Sequence, residues 1–127
     1  MHPRVSVVIT TYNQAPYIRQ AVDSALGQTF RSRDILVVDD GSTDDTQAAL
    51  APYRDRINYI RQGNRGVAGS RNTGVRHARG ELLAFLDGDD LWDPAKLEIQ
   101  VAAADSAPLS GLIAVNGVEF GPERAAA

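Results

Sequence analysis

Apolar positions in this chain fall into short unbroken blocks, and the stretches between them carry helical spacing. Val5 to Thr11 (V-S-V-V-I-T-T) is β-branched and mostly apolar, the mark of a buried strand. Ile18, Val22, Ala25 and Leu26 then recur at helical intervals beside Ala21, with Pro16 placed for a first helical turn and Gly27 where a helix stops. Ile35 to Val38 predicts a second buried strand, which runs into Asp39-Asp40. Gly41-Ser42 opens a second helix, with Ser42 as its N-cap, Asp44 and Asp45 at the positive end of its dipole, and Pro52 at or just past its end. Ile57 to Ile60 reads as a third, shorter strand. Residues 62–69 form a glycine-rich loop leading into a helix over residues 70–79 that ends before Gly80. Leu82 to Leu86 predicts a central strand buried on both faces. Asp93-Pro94 then starts a helix whose inner face is Leu97, Val101 and Ala104. Residues 111–120 predict a fifth strand, broken near Gly117, and residues 121–127 a fraying tail.

Strands alternating with helices imply a parallel sheet joined by right-handed crossovers. Such sheets bind ligands beyond the carboxyl ends of their strands. Those ends here carry Thr10-Thr11-Tyr12, Asp39-Asp40, the loop at Gly63 to Gly66, and Asp87 to Asp90. All the polar constellations therefore fall on one edge. With no internal repeat and no linker, the expectation is one domain over residues 1–127.

Bulk properties narrow the function. A length of 127 residues suits one domain with a real core, and 43% hydrophobic with 23% charged residues is ordinary globular composition. A formal charge of −3 argues against nucleic-acid binding by general phosphate attraction. The absence of cysteine excludes disulfides, thiolate zinc sites and cysteine nucleophiles, and His2 and His77 are too few and too far apart for a zinc cluster. The start lacks the features of a signal peptide and no apolar run approaches the ~20 residues of a membrane span. The chain is accordingly expected to be cytoplasmic, with peripheral membrane association left open and the oligomeric state unread.

The chemistry concentrates in Leu86-Asp87-Gly88-Asp89-Asp90. Like charges packed this closely repel unless something positive neutralises them. A hard divalent cation does so with oxygen ligands, often one or two carboxylates plus substrate phosphates, and Gly88 lets the backbone bend so that Asp87 and Asp89 face one ion. A dinucleotide-binding oxidoreductase would need G-x-G-x-x-G after the first strand, where this chain has Thr11-Tyr12-Asn13-Gln14. A Mg²⁺-dependent phosphoacceptor domain would place its acidic pair after strand one, whereas the acids here follow strands two and four. A non-catalytic nucleotide-binding module stays open.

V-S-V-V-I-T-T-Y-N-Q with V-D-S-A-L-G-Q-T-F, then V-V-D-D-G-S-T-D-D-T, N-R-G-V-A-G-S-R-N-T-G and L-D-G-D-D-L-W-D-P resemble, in order, four signatures of the family 2 glycosyltransferases. The match runs from Val5 to about Leu97. It implies an α/β, Rossmann-like GT-A sandwich, with a mostly parallel sheet and helices on both faces, truncated after about the fifth strand. It implies transfer of a sugar from a nucleotide-diphosphate sugar, a UDP-sugar, to an acceptor hydroxyl with inversion, aided by Mn²⁺ or Mg²⁺. Carried over by position, Thr10 and Tyr12 pack around the nucleotide and Asp40 accepts from the uracil ring, with Asp39 shaping the turn beside it. Arg71 lines the nucleotide site, Asp89 is the direct metal ligand and Asp87, its partner in the D-x-D pair, lies nearer the ribose. The catalytic base matches no residue of this chain, since Glu119 and Glu123 sit in no corresponding context; donor binding without efficient transfer is the expectation. Donor sugar and acceptor are not readable.

Overall fold

The computed structural model describes residues 2–106, and the expected fifth strand and tail lie outside them. Four strands, β1 (Val5–Thr11), β2 (Arg33–Asp39), β3 (Asn58–Arg61) and β4 (Leu82–Asp87), pair in the order β3-β2-β1-β4, all parallel. Between them run α1 (Ile18–Leu26), α2 (Thr46–Leu50) extended by a 3-10 turn at Ala51–Tyr53, and α3 (Gly66–His77), with α4 (Lys96–Ser106) after β4. This is the α/β architecture that the strand–helix alternation predicts.

Alternation along β1 explains the two layers. Val5, Val7 and Ile9 join Ile35 and Val37 of β2 and Leu86 of β4 on one face, under Ile18, Ala21, Val22 and Ala25 of α1 and Leu97 and Val101 of α4. Val8 and Leu36 are equally buried on the opposite face, beneath α3. Gly74 permits that approach, because a Cβ there would collide with Val8. The turn from α3 to β4 sits as close to β1. A Cβ at Gly80 would lie 2.6 Å from the Ser6 nitrogen, and the Gly80 N–H donates to Ser6 Oγ at 2.8 Å.

The structure corrects several expectations. Among the described residues β1 and β2 are the inner strands, and β4 pairs with β1 alone. Its Leu83 and Phe85 are 40% and 42% exposed, since α3 packs mainly over β1 and β2 and reaches Phe85 through the Arg71 side chain. An apolar run specifies a strand but not how many neighbours cover it. α3 begins at Gly66, inside the stretch read as loop, because the turn that starts it is held from another strand end, as shown below. Ser42 does not cap α2, which starts at Thr46 behind Asp45. The Ser42 hydroxyl accepts instead from the Asn13 N–H at 2.9 Å, and Asp44 receives the Thr46 N–H at 3.0 Å. Pro16 lies before α1, whose N-cap is Tyr17, while Gly27 is its C-cap as read. On α4, Leu97 and Val101 are buried but Ala104 is only half-buried.

Candidate nucleotide and metal site

Register brings the polar strand ends into one row. Thr10 of β1 stands opposite Asp87 of β4, and Thr11 opposite Asp39 of β2. The ladder runs one step further on each side, with the Asp40 N–H donating to the Thr11 carbonyl at 2.9 Å and the Gly88 N–H to the Thr10 carbonyl at 2.8 Å. The backbone itself thus fixes where both acidic clusters begin. A cleft of about 240 Å³ opens there, lined by Thr10, Tyr12, Asp40, Asp87 and Asp89 together with Thr11, Gln14, Val67 and Ser70.

The β1–α1 turn forms one wall. Asn13 takes a positive φ of 52°, which asparagine tolerates better than most residues. Its side-chain carbonyl accepts the Thr43 N–H at 2.8 Å, while the Gln14 N–H donates to Thr46 Oγ1 at 3.2 Å. These bonds tie the turn to the segment before α2 and hold Tyr12, 46% exposed, beside the cleft. Gln14 Oε1 accepts from the Thr11 hydroxyl at 2.8 Å, and a Cβ at Gly88 would strike both groups. Glycine is required at that point for the acidic turn to rest on β1.

Asp39 and Asp40 are adjacent but behave differently. Asp39 is fully buried; its carboxylate accepts the Ser42 N–H at 2.9 Å and the Tyr59 hydroxyl at 2.6 Å, forming the turn after β2. Burial and that carboxylate push the Tyr59 hydroxyl well above its ordinary pKa. Asp40, 4% exposed, faces the cleft and receives the N–H groups of Arg65 at 2.8 Å and Gly66 at 2.9 Å, with the Gln62 amide at 3.0 Å. It therefore satisfies the first free amides of α3 from outside the helix, at the positive end of its dipole. Burial works against its ionisation, but the donors Gln62, Arg65, Gly66 and Ser70 outweigh this and hold the carboxyl below the usual range.

Asp87, Asp89 and Asp90 make the second cluster. One carboxylate oxygen from each lies within 4.8 Å of the others, and all three residues offer them near solvent. An all-oxygen set at this separation fits a hard divalent cation such as Mg²⁺ or Mn²⁺, with room for phosphate oxygens as further ligands. Asp87 is held by the Thr10 hydroxyl at 3.4 Å and by the Arg71 guanidinium at 3.5 Å. Both partners of that ion pair are about half exposed, so it orients more than it stabilises. Arg71 also lies over the Phe85 ring, 5.8 Å from its centroid, and is not in the cleft lining itself. Behind the cluster Trp92 packs into the core with Lys96 over its ring at 4.7 Å, as a packing anchor does.

The structure thus brings Thr10, Tyr12, Asp40, Asp87 and Asp89 to one cleft, sets Arg71 on its rim through Asp87, and buries Asp39 beneath it. Sequence reading missed Gln14, Val67 and Ser70. Gln14 lies three residues past Thr11 in a turn already marked as a strand end, and Val67 and Ser70 sit one helical turn apart at the start of α3. Placing that start at Gly66 is the signal that would have exposed them.

Comparison with known proteins points the same way. Residues 6–125 match the family model for glycosyl transferase family 2. An uncharacterized glycosyltransferase of Rickettsia typhi is 38% identical over 118 residues, covering 93% of this chain and 37% of that protein. Escherichia coli chondroitin synthase is 40% identical over 100 residues, 76% of this chain and 15% of the synthase. The chain therefore spans little more than a third of the length of such relatives, or less. Among solved structures, Staphylococcus aureus TarS (residues 1–349) in complex with UDP-GlcNAc superposes with a TM-score of 0.70 at 32% identity, over 81% of this chain and 31% of that one. The mannosyltransferase PcManGT of Pyrobaculum calidifontis, in complex with GDP-Man and Mn²⁺, gives 0.71 at 32% identity, over 87% of this chain and 34% of that one. The strand-end cleft, the ordered motifs and these likenesses agree: this chain belongs to glycosyl transferase family 2 and has the GT-A fold.

Proposed function

We propose that this chain, as a single domain, is the donor-binding part of a transferase that takes a sugar from a UDP-sugar and passes it to an acceptor hydroxyl with inversion. The observation that carries this reading is the convergence of Asp40, Asp87 and Asp89 on one cleft with Thr10 and Tyr12. The base lies at the Asp40 end. Asp40 accepts the ring N–H through the acceptor capacity its internal bonds leave free, and the exposed Tyr12 offers a face for stacking. Asp39 acts from beneath by fixing the turn that aims Asp40. Asp87 meets the ribose, and Arg71, beside Asp87, adds positive charge at the rim where the diphosphate leaves.

Asp89, with Asp87, would hold Mn²⁺ or Mg²⁺, which when bound neutralises the charge developing on the diphosphate as the sugar departs. Inversion requires a carboxylate base within hydrogen-bond reach of the acceptor hydroxyl. The cleft carboxylates Asp40, Asp87 and Asp89 are all assigned to the donor, so we place the base outside the described residues. A support for UDP over other bases is the likeness to the UDP-GlcNAc complex of TarS, while the GDP-Man complex of PcManGT keeps guanine as the alternative.

Thermal shift measurement tests the class. A ligand at one hundred times its Kd raises stability by about 2.7 kcal/mol. UDP-sugar with Mn²⁺ is expected to raise the melting temperature, and NAD(H) or a phosphoryl donor to leave it unchanged. A shift with NAD(H) or the phosphoryl donor alone would replace the transferase reading, and a larger shift with GDP than with UDP would replace its base.

A further inference from the structure

Asp40 is addressed by side chains as well as by the start of α3. Gln62, just past β3, donates its amide N–H to Asp40 Oδ1 at 3.0 Å, and its carbonyl oxygen accepts the Thr73 hydroxyl at 2.6 Å. The Arg76 guanidinium donates to the same Thr73 oxygen at 3.2 Å, and Thr73 is 4% exposed. Amide orientation is decided by these partners. An ionised Asp40 can only accept, so the Gln62 NH₂ must face it. Thr73, receiving from Arg76, has its own proton to give, so the Gln62 oxygen must face α3. The four side chains form a one-way relay from Arg76 through Thr73 and Gln62 to Asp40. Gln62 shares Asp40 Oδ1 with the Arg65 N–H, while Oδ2 receives the Gly66 N–H and the Ser70 hydroxyl adds a further donor to the carboxylate.

We propose that Gln62, locked by Thr73, is a positioning residue for nucleotide recognition: by holding Asp40 Oδ1 it fixes the orientation of the carboxylate that accepts the N–H of the base. This rests on the reading of Asp40 as the base acceptor. Gln62 touches no donor atom in this scheme, and its influence passes entirely through Asp40.

The test is the variant Gln62→Glu, with UDP as the probe in EDTA so that no metal contributes to binding. At pH 8 a glutamate there faces Asp40 with a second negative charge and no proton to donate. At pH 5 the coupled pair takes up a proton, because like charges raise the first pKa, and the donated bond is restored. Neighbouring charges on every side are Asp39 and Tyr59 below, Arg61 beside Gln62, Arg65 just before α3, Arg71 and Arg76 on α3, and Asp87 and Asp89 across the cleft. His77 Nδ1 lies 2.9 Å from the Thr73 carbonyl. Each affinity is therefore expressed as a ratio to the unaltered chain at the same pH, which cancels their titration and that of UDP.

UDP is expected to bind Gln62→Glu about tenfold more weakly than the unaltered chain at pH 8, the loss of one charge-assisted bond, and within about threefold of it at pH 5. Thr73→Val, close in shape and unable to lock the amide, is expected to weaken binding by about threefold at both pH values. A pH-independent ratio for Gln62→Glu, or affinity at pH 8 equal to the unaltered chain, would overturn the positioning role while leaving UDP binding intact. Failure of the unaltered chain to bind UDP at either pH would overturn the base-acceptor reading itself.

Discussion

Replacing Asp40 with alanine is expected to weaken UDP binding by about tenfold or more even in EDTA, and to destabilise the chain as well. Both effects come from the same carboxylate. A hydrogen bond to a charged group contributes about 1.5–3 kcal/mol, which sets the binding loss. The stability loss arises because the Arg65 and Gly66 N–H groups and the Gln62 amide would all lose their acceptor. Unpaired buried donors cost about 1–3 kcal/mol each, but the cleft lets water reach some of them, so about 2–4 kcal/mol is expected in all. The pH dependence has a definite sign. Asp40 is held below its ordinary pKa in the folded chain, so its contribution is fully present above the unfolded value of about 3.9 and is lost as pH falls through the lower folded value. Chemical denaturation at pH 7 and pH 3 should show the gap between variant and unaltered chain narrowing in acid. A gap that stayed constant, or an Asp40→Ala chain as stable as its parent at pH 7, would contradict the capping of α3 by Asp40.

The position of Asp40 was legible in the sequence, but its use was not. The strand block before it, the acids after it and the parallel architecture together place it at a carboxyl edge. That it holds the start of α3 depends on contacts with residues 22 to 26 positions away, which no local pattern encodes. The same limit explains β4. Leu82 to Leu86 reads as a strand and is one, yet its place at the edge of the described sheet is decided by pairing to β1, 77 positions earlier in the register of Val5 with Leu82. Ser42 illustrates a competition between local and distant partners. Serine before a helix is a sound cap signal, but here the β1–α1 turn needed an acceptor and took the hydroxyl. Where the determinants are local, as for β1 and the end of α1 at Gly27, the reading holds in detail, and the carboxylates of Asp87, Asp89 and Asp90 stand as close together as their spacing suggests. Membership of the family needed four motifs in series, each too short to carry it alone.

The second large effect belongs to Asp89. Asp89→Ala is expected to leave metal-free UDP binding within about twofold of the parent and to abolish the gain from Mn²⁺, which would be about tenfold or more for a cation held here that neutralises diphosphate charge. Asp89 is exposed in a cluster of three carboxylates, so its removal also relieves repulsion, and stability should change by no more than about 0.5 kcal/mol. The contrast with Asp40 separates the two ends of the cleft: one variant loses affinity without metal and stability with it, the other loses only the metal response. An Asp89→Ala chain that kept the full Mn²⁺ gain would move the cation to other ligands, whereas loss of affinity in EDTA would place Asp89 on the nucleotide.

Isothermal titration of the unaltered chain with UDP, in Mn²⁺ and again in EDTA, bears most directly on the account. Binding is expected in both, tighter with Mn²⁺, if the proposed site holds the base at Asp40 and the diphosphate by way of the Asp87–Asp89 turn. Equal affinity in the two conditions would contradict the metal assignment, and no binding in either would contradict the nucleotide site as a whole.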